Sequence, residues 1–137
     1  MKTHRCYVVF LVFSLGVFVG CGEKLPFDVA DIQGTIMFEG KPVPKGLRLQ
    51  FVPVSGEGRT SEAIVGDGGK FRATYSRSTR GIQVGKALLF VSWSGGSHTP
   101  IPPVAAEIIK NFGGNTKGFP LEITKADRNF TIELKQP

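Results

Sequence analysis

Cysteine and histidine are nearly absent. The 137 residues hold two cysteines, Cys6 and Cys21, and two histidines, His4 and His98. Both cysteines fall in the first 21 residues, so the chain beyond them has no disulfide framework. A zinc site draws on several nitrogen or sulfur ligands. Beyond Cys21 only His98 is available, and no metal is expected. The turn Gly66-Asp67-Gly68-Gly69 carries one acid, too few for a calcium loop. No Lys-Ser or Lys-Thr follows it, so it is not a phosphate loop. His98 sits among serines in Ser94–Pro103, but no nucleophile-elbow spacing or orienting group accompanies it. No catalytic residue and no cofactor is expected. Acid is missing from the whole stretch Lys70–Lys86, which carries Lys70, Arg72, Arg77, Arg80 and Lys86. Long apolar runs are scarce as well: the one that stands out, Tyr7–Gly20, has fourteen residues, short of the ~20 that span a bilayer as a helix.

That run follows Lys2, His4 and Arg5 and ends in small residues at Gly20. A basic start, a short apolar core and a small residue before a cut describe a secretory signal. Phe18-Val19-Gly20-Cys21 resembles the lipobox of bacterial lipoproteins. The resemblance implies cleavage before Cys21, diacylation of its sulfur and acylation of the new amine. Residues 1–20 are therefore expected to be the leader and 21–30 a tether. The body would be residues 31–137, held outside the cytoplasm on a membrane of the cell envelope. Formal net charge is +6; the leader holds two cations and no acid, so its loss leaves +4 on the side chains. A chain exported in this way is not expected to meet nucleic acid.

What is plentiful is turn chemistry and aromatic alternation, with 18 glycines, 9 prolines and 11 phenylalanines. Period-2 alternation marks strands with one buried face. Ile32, Gly34, Ile36 and Phe38 alternate with Gln33, Thr35 and Met37. Leu47, Leu49 and Phe51 alternate with Arg48 and Gln50. Ala63–Tyr75, with Gly66–Gly69 between two alternating runs, predicts a central β-hairpin. Ala87–Trp93 is apolar on both sides, as in a covered central strand. Val104–Phe112 is the one helical candidate, with Pro102 and Pro103 ahead and Gly113 behind. Phe119–Ile123 and Phe130–Leu134 predict a closing hairpin. The fold class is all-β, a sandwich with one short helix.

Three segments in order look like the carboxypeptidase regulatory-like domain. They are Gln33-Gly34-Thr35-Ile36, then Gly40-Lys41-Pro42 running on to Phe51-Val52-Pro53, then Asp67-Gly68-Gly69-Lys70-Phe71. The similarity extends through Gly85-Lys86 and covers Ile32–Leu134. It implies an Ig-like, transthyretin-like β-sandwich of about seven strands. Val84 and Ala87 depart from the family's Pro and Tyr. No catalytic domain accompanies this body, so the resemblance implies a structural, adhesive or assembly-aiding role. One alternative is a module that binds an envelope polysaccharide, or a protein partner, through Trp93 and the basic residues Arg77, Arg80 and Lys86. Ranked last is a small transthyretin-like hydrolase of the hydroxyisourate type. That family uses several histidines and a terminal Tyr-Arg-Gly-Ser, where this chain reads Leu134-Lys135-Gln136-Pro137.

Overall fold

The computed structural model describes residues 26–137; the expected leader and Cys21 lie outside them. The alternating runs become strands with the expected faces inward. Strand β1 (Val29–Ala30) is followed by β2 (Ile32–Phe38), β3 (Lys41–Pro42), β4 (Leu47–Pro53), β5 (Ser61–Ile64), β6 (Lys70–Arg72), β7 (Ile82–Gln83) and β8 (Gly85–Trp93). Helix α1 (Pro103–Phe112), β9 (Phe119–Ile123) and β10 (Asp127–Leu134) complete the order. The fold is all-β and sandwich-like. Ten strands are present where about seven were expected, and the difference is β1, β3 and β7, each only two residues long.

One sheet runs β5-β4-β8-β9 and is antiparallel throughout. In the second, β2 has β10 on one side and β3 and β6 on the other. The third is a two-stranded ribbon of β1 and β7. Hence the last residues of the expected tether, Val29–Ala30, belong to the folded body: they pair with Ile82–Gln83.

The core lies between the larger sheets. Ile32, Ile36 and Phe38 from β2 meet Leu47, Leu49 and Phe51 from β4, Leu89 and Val91 from β8, and Ile132 and Leu134 from β10. The rings of Phe51 and Phe71 stand 6.0 Å apart, joining β4 of one sheet to β6 of the other. Removing such side chains from water is the main stabilising term for a body this size.

Two expected hairpins are corrected. Around Gly66–Gly69 the turn forms as a single 3-10 turn, with the Gly66 N–H donating to the Lys70 carbonyl at 2.8 Å. Its arms then part. β5 pairs with β4 and β6 with β2, and between the arms one bridge remains, Glu62 to Thr74. The segment is a corner that carries the chain from one sheet to the other. Likewise β9 pairs with β8, while β10 runs parallel to β2. In both places the buried faces of the two arms are completed by different sheets, and packing outweighs the short loop's preference for local pairing.

Helix α1 begins one residue earlier than expected, with Pro103 in its first turn. Ala105, Ile108 and Phe112 fall on one face and join the core. Phe112 meets Phe119 of β9 edge-on, ring centroids 6.0 Å apart at 80°. Gln136, just after β10, donates to the Glu107 carboxylate. The helix thus ties the edge of one sheet to the end of the other.

Candidate functional site: the two ends of β8 and the outer face of β2

The four residues expected to share a surface are separated: Trp93 and Lys86 stand at opposite ends of β8, and Arg80 is in register with its middle, through Thr74, Glu62 and Gln50. Trp93 closes β8 opposite Leu47. Lys86 opens β8 opposite Glu122, and its carbonyl accepts the Val54 N–H at 3.0 Å. Seven residues at ~3.4 Å each separate them by roughly 24 Å. Arg77 and Arg80 are exposed in the loop between β6 and β7. Arg80 bridges to Thr74, and the adjacent Gly81 N–H donates to Ala73. The structure therefore does not gather Trp93 with the basic residues; sequence spacing could not reveal it, because β8 is long and straight enough to hold its ends apart. Arg77, Arg80 and Lys86 form no ion pair among the described residues.

Trp93 is half-buried and lines a groove of about 380 Å³ with Lys45, Gly46, Val65, Gly66 and Thr99. Gly46 lies at the centre of its support. The Ser94 hydroxyl and the Ser94 N–H both donate to the Gly46 carbonyl, at 2.6 and 2.9 Å. The Gly46 N–H donates to Val65 at 2.9 Å. Gly46 has φ +98°, and a Cβ there would come within 3.0 Å of Trp93 Cη2. Gly95 packs close to the indole nitrogen, whose N–H is buried and has no partner among the described residues. Lys45 and Asp67 meet at the rim at 3.8 Å, both largely exposed, a contact that water and salt weaken. His98 lies exposed in the adjoining loop.

Substituting Gly46→Ala forces the left-handed backbone on a residue with a Cβ, which costs about 1–2 kcal/mol. The expected result is that loss of stability together with a shift in tryptophan emission. Trp93 is the only tryptophan, so fluorescence-monitored urea unfolding reads this position alone. An unchanged midpoint and spectrum would contradict the account of Gly46.

A third region gathers polar and charged side chains that the sequence alone did not bring together. On the outer face of β2, Gln33 and Thr35 form the floor of a cleft of about 430 Å³, bordered by Lys70 of β6 and by Arg128, Asn129 and Thr131 of β10. Register explains the grouping. Thr35 stands opposite Lys70 on one side and opposite Thr131 on the other. Directly opposed residues share a face, so Lys70, Thr35 and Thr131 form a row across three strands. Between Asp127 and Phe130 the pairing slips: three steps along β10 match two along β2. That bulge re-aims the side chains it contains, and Arg128 and Asn129 line the cleft as a result. The Asn129 N–H donates to Asp127 Oδ1 at 2.8 Å. Residues 125–129 read as an ordinary turn in the sequence; only the alternation of Gln33, Thr35 and Thr131 pointed to an outward polar row.

Gln83 was also missed. It is buried, its Nε2 donates to the Glu57 carbonyl at 3.2 Å, and its Oε1 has no partner among the described residues. No sequence signal distinguishes it from a surface glutamine. Among the described residues, no three His, Cys, Asp or Glu side chains gather as a metal site would need.

Comparison with protein families, with curated proteins and with solved structures finds no match to this chain in any of the three.

Proposed function

We propose that this chain is a non-catalytic, lipid-anchored protein of the bacterial cell envelope, with a structural, adhesive or assembly-aiding role. The observation that carries the reading is Val19-Gly20-Cys21 at the end of a fourteen-residue apolar run. One acyl chain gives only marginal membrane binding, whereas several hold firmly, and the lipobox resemblance implies several on Cys21. The resemblance of Ile32–Leu134 to the carboxypeptidase regulatory-like domain supports a body that serves as a scaffold.

The place where the chain enters the fold agrees with this role. Strand β1 follows Cys21 by eight residues. The Val84 N–H donates to the Asp28 carbonyl at 2.9 Å, so the tether meets the body at the end where β8 begins. Gly22–Asp28, fully extended, reaches at most about 25 Å. A lipid on Cys21 would thus be attached at the end of the body where β8 begins, with the Trp93 groove roughly 24 Å further along that strand.

Mass spectrometry of the mature N-terminus tests the anchor: acylated Cys21 is the expected terminus. Cys21→Ser is expected to move the protein from the membrane pellet to the soluble fraction. An unmodified Cys21, or a terminus elsewhere, overturns the proposal.

A further inference from the structure

We propose that the cleft on the outer face of β2 is a binding site for an acidic polysaccharide, a chain bearing both hydroxyl and carboxylate groups. The inference deepens the adhesive reading above by naming what is held, and it does not depend on whether Cys21 carries lipid.

Two kinds of group converge on the cleft. Lys70 and Arg128 flank it from β6 and β10, on either side of β2. Two strand spacings of ~4.8 Å put β6 and β10 about 10 Å apart, and Arg128, in the bulge ahead of Phe130, is offset along the strands from Lys70. Neither cation has an acidic partner among the described residues. Of the acids nearby in register, Asp31 faces Arg72 at 3.8 Å, Asp127 accepts the Asn129 N–H, and Glu133, two residues beyond Thr131 on the same outward face, pairs with neither cation. The cleft thus keeps two cations that form no ion pair among the described residues. Between them lie Gln33, Thr35, Asn129 and Thr131, whose amides and hydroxyls donate and accept. A floor of neutral polar groups suits sugar hydroxyls, and flanking cations suit carboxylates.

Other polyanions fit less well. Single-stranded nucleic acid is held largely by stacking on aromatic side chains. The one aromatic ring bordering this cleft, Phe71, is buried in the core against Phe51. An acidic peptide offers the cations carboxylates but brings no array of hydroxyl groups to the floor, and poly-L-glutamate tests it directly.

The cleft is also built into the fold. Arg128 and Asn129 reach it because β10 is bulged against β2, and Gly34 brings the Phe130 carbonyl close over the strand. A bulge placed next to a polar floor re-aims side chains and ends local pairing.

The full-length protein in detergent is titrated with three probes: polygalacturonate, which has carboxylates and hydroxyls; dextran, which has hydroxyls alone; and poly-L-glutamate, which has carboxylates alone. Binding is expected for polygalacturonate and not for the other two at matched concentration. K70Q/R128Q should weaken it about tenfold or more, since each lost contact is charge-assisted. Thr35→Val should weaken it severalfold. R77Q/R80Q should leave it unchanged, which separates this cleft from general basic charge. Lys70 and Arg128 are exposed, so an unchanged thermal midpoint is expected in K70Q/R128Q. Equal binding of poly-L-glutamate, equal loss in R77Q/R80Q, or no binding of polygalacturonate overturns the proposal. The mature N-terminus is read separately, so failure here leaves the anchor standing, and failure of the anchor leaves the cleft standing.

Discussion

Gly34→Ala should cost about 3 kcal/mol of stability, more than any substitution on the sandwich surface. Gly34 is in the middle of β2, directly opposite Phe130 of the parallel strand β10. A Cβ built on Gly34 falls well inside the van der Waals radius of the Phe130 carbonyl oxygen, and its nearest neighbours are all backbone atoms. No side chain can rotate away to relieve the overlap. Either β10 shifts outward and lengthens its hydrogen bonds to β2, or β2 bends. Both disturb Ile132 and Leu134, which are buried in the core at 1% and 0% exposure. Stabilities of ordinary domains lie at about 5–15 kcal/mol, so the loss is a large share of the total. Urea unfolding measures it as a lower midpoint with an unchanged slope. A variant as stable as the parent would mean that β10 does not pass so close to β2. The same variant should weaken polygalacturonate binding, because the bulge that presents Arg128 and Asn129 begins at this crossing.

Phe51→Ala should cost about 3–5 kcal/mol. Phe51 is 1% exposed and is among the largest fully buried side chains. It lies in β4, between β5 and β8, and its ring meets Phe71 of the other sheet at 6.0 Å. Truncation removes buried apolar surface and leaves a cavity between two hydrogen-bonded layers that cannot easily close on it. Phe51→Leu keeps most of the volume and should cost less than half as much. The comparison distinguishes packing from a general intolerance at this position. If alanine and leucine cost the same, the contact with Phe71 rather than the filled volume is what matters. If neither has an effect, Phe51 is not at the centre of the core.

Much of this architecture was legible because period-2 alternation is a local consequence of one buried face. Ile32–Phe38 and Leu47–Pro53 turned the expected side inward, while Ala87–Trp93, expected to be covered on both sides, buries Ala87, Leu89 and Val91 and leaves Leu88 and Phe90 half-buried. The helix at Pro103–Phe112 was marked by proline in front and glycine behind. The turn Gly66–Gly69 was marked by its glycines, and the chain does reverse there. What alternation cannot encode is the neighbour of each strand. The two arms of that turn, and β9 and β10 near the end, read as hairpins and instead joined different sheets. Trp93 and Lys86 are seven positions apart in the chain, yet a single extended strand keeps their surroundings separate.

The sequence by itself determined that the body is layered from strands, which side of the alternating strands is wet, and that an apolar run ending just before Cys21 precedes it. Those properties follow from local alternation, turn residues and composition, and each is decided within a few neighbouring positions. The tertiary structure decided which strands lie side by side, and with that which distant residues form one surface. Lys70, Thr35 and Thr131 share a row only because β6 and β10 both dock on β2, and Arg128 joins them only because one extra residue in β10 shifts its register. Partner choice is set by closing both faces of a common core, a condition on the whole chain that no short stretch carries.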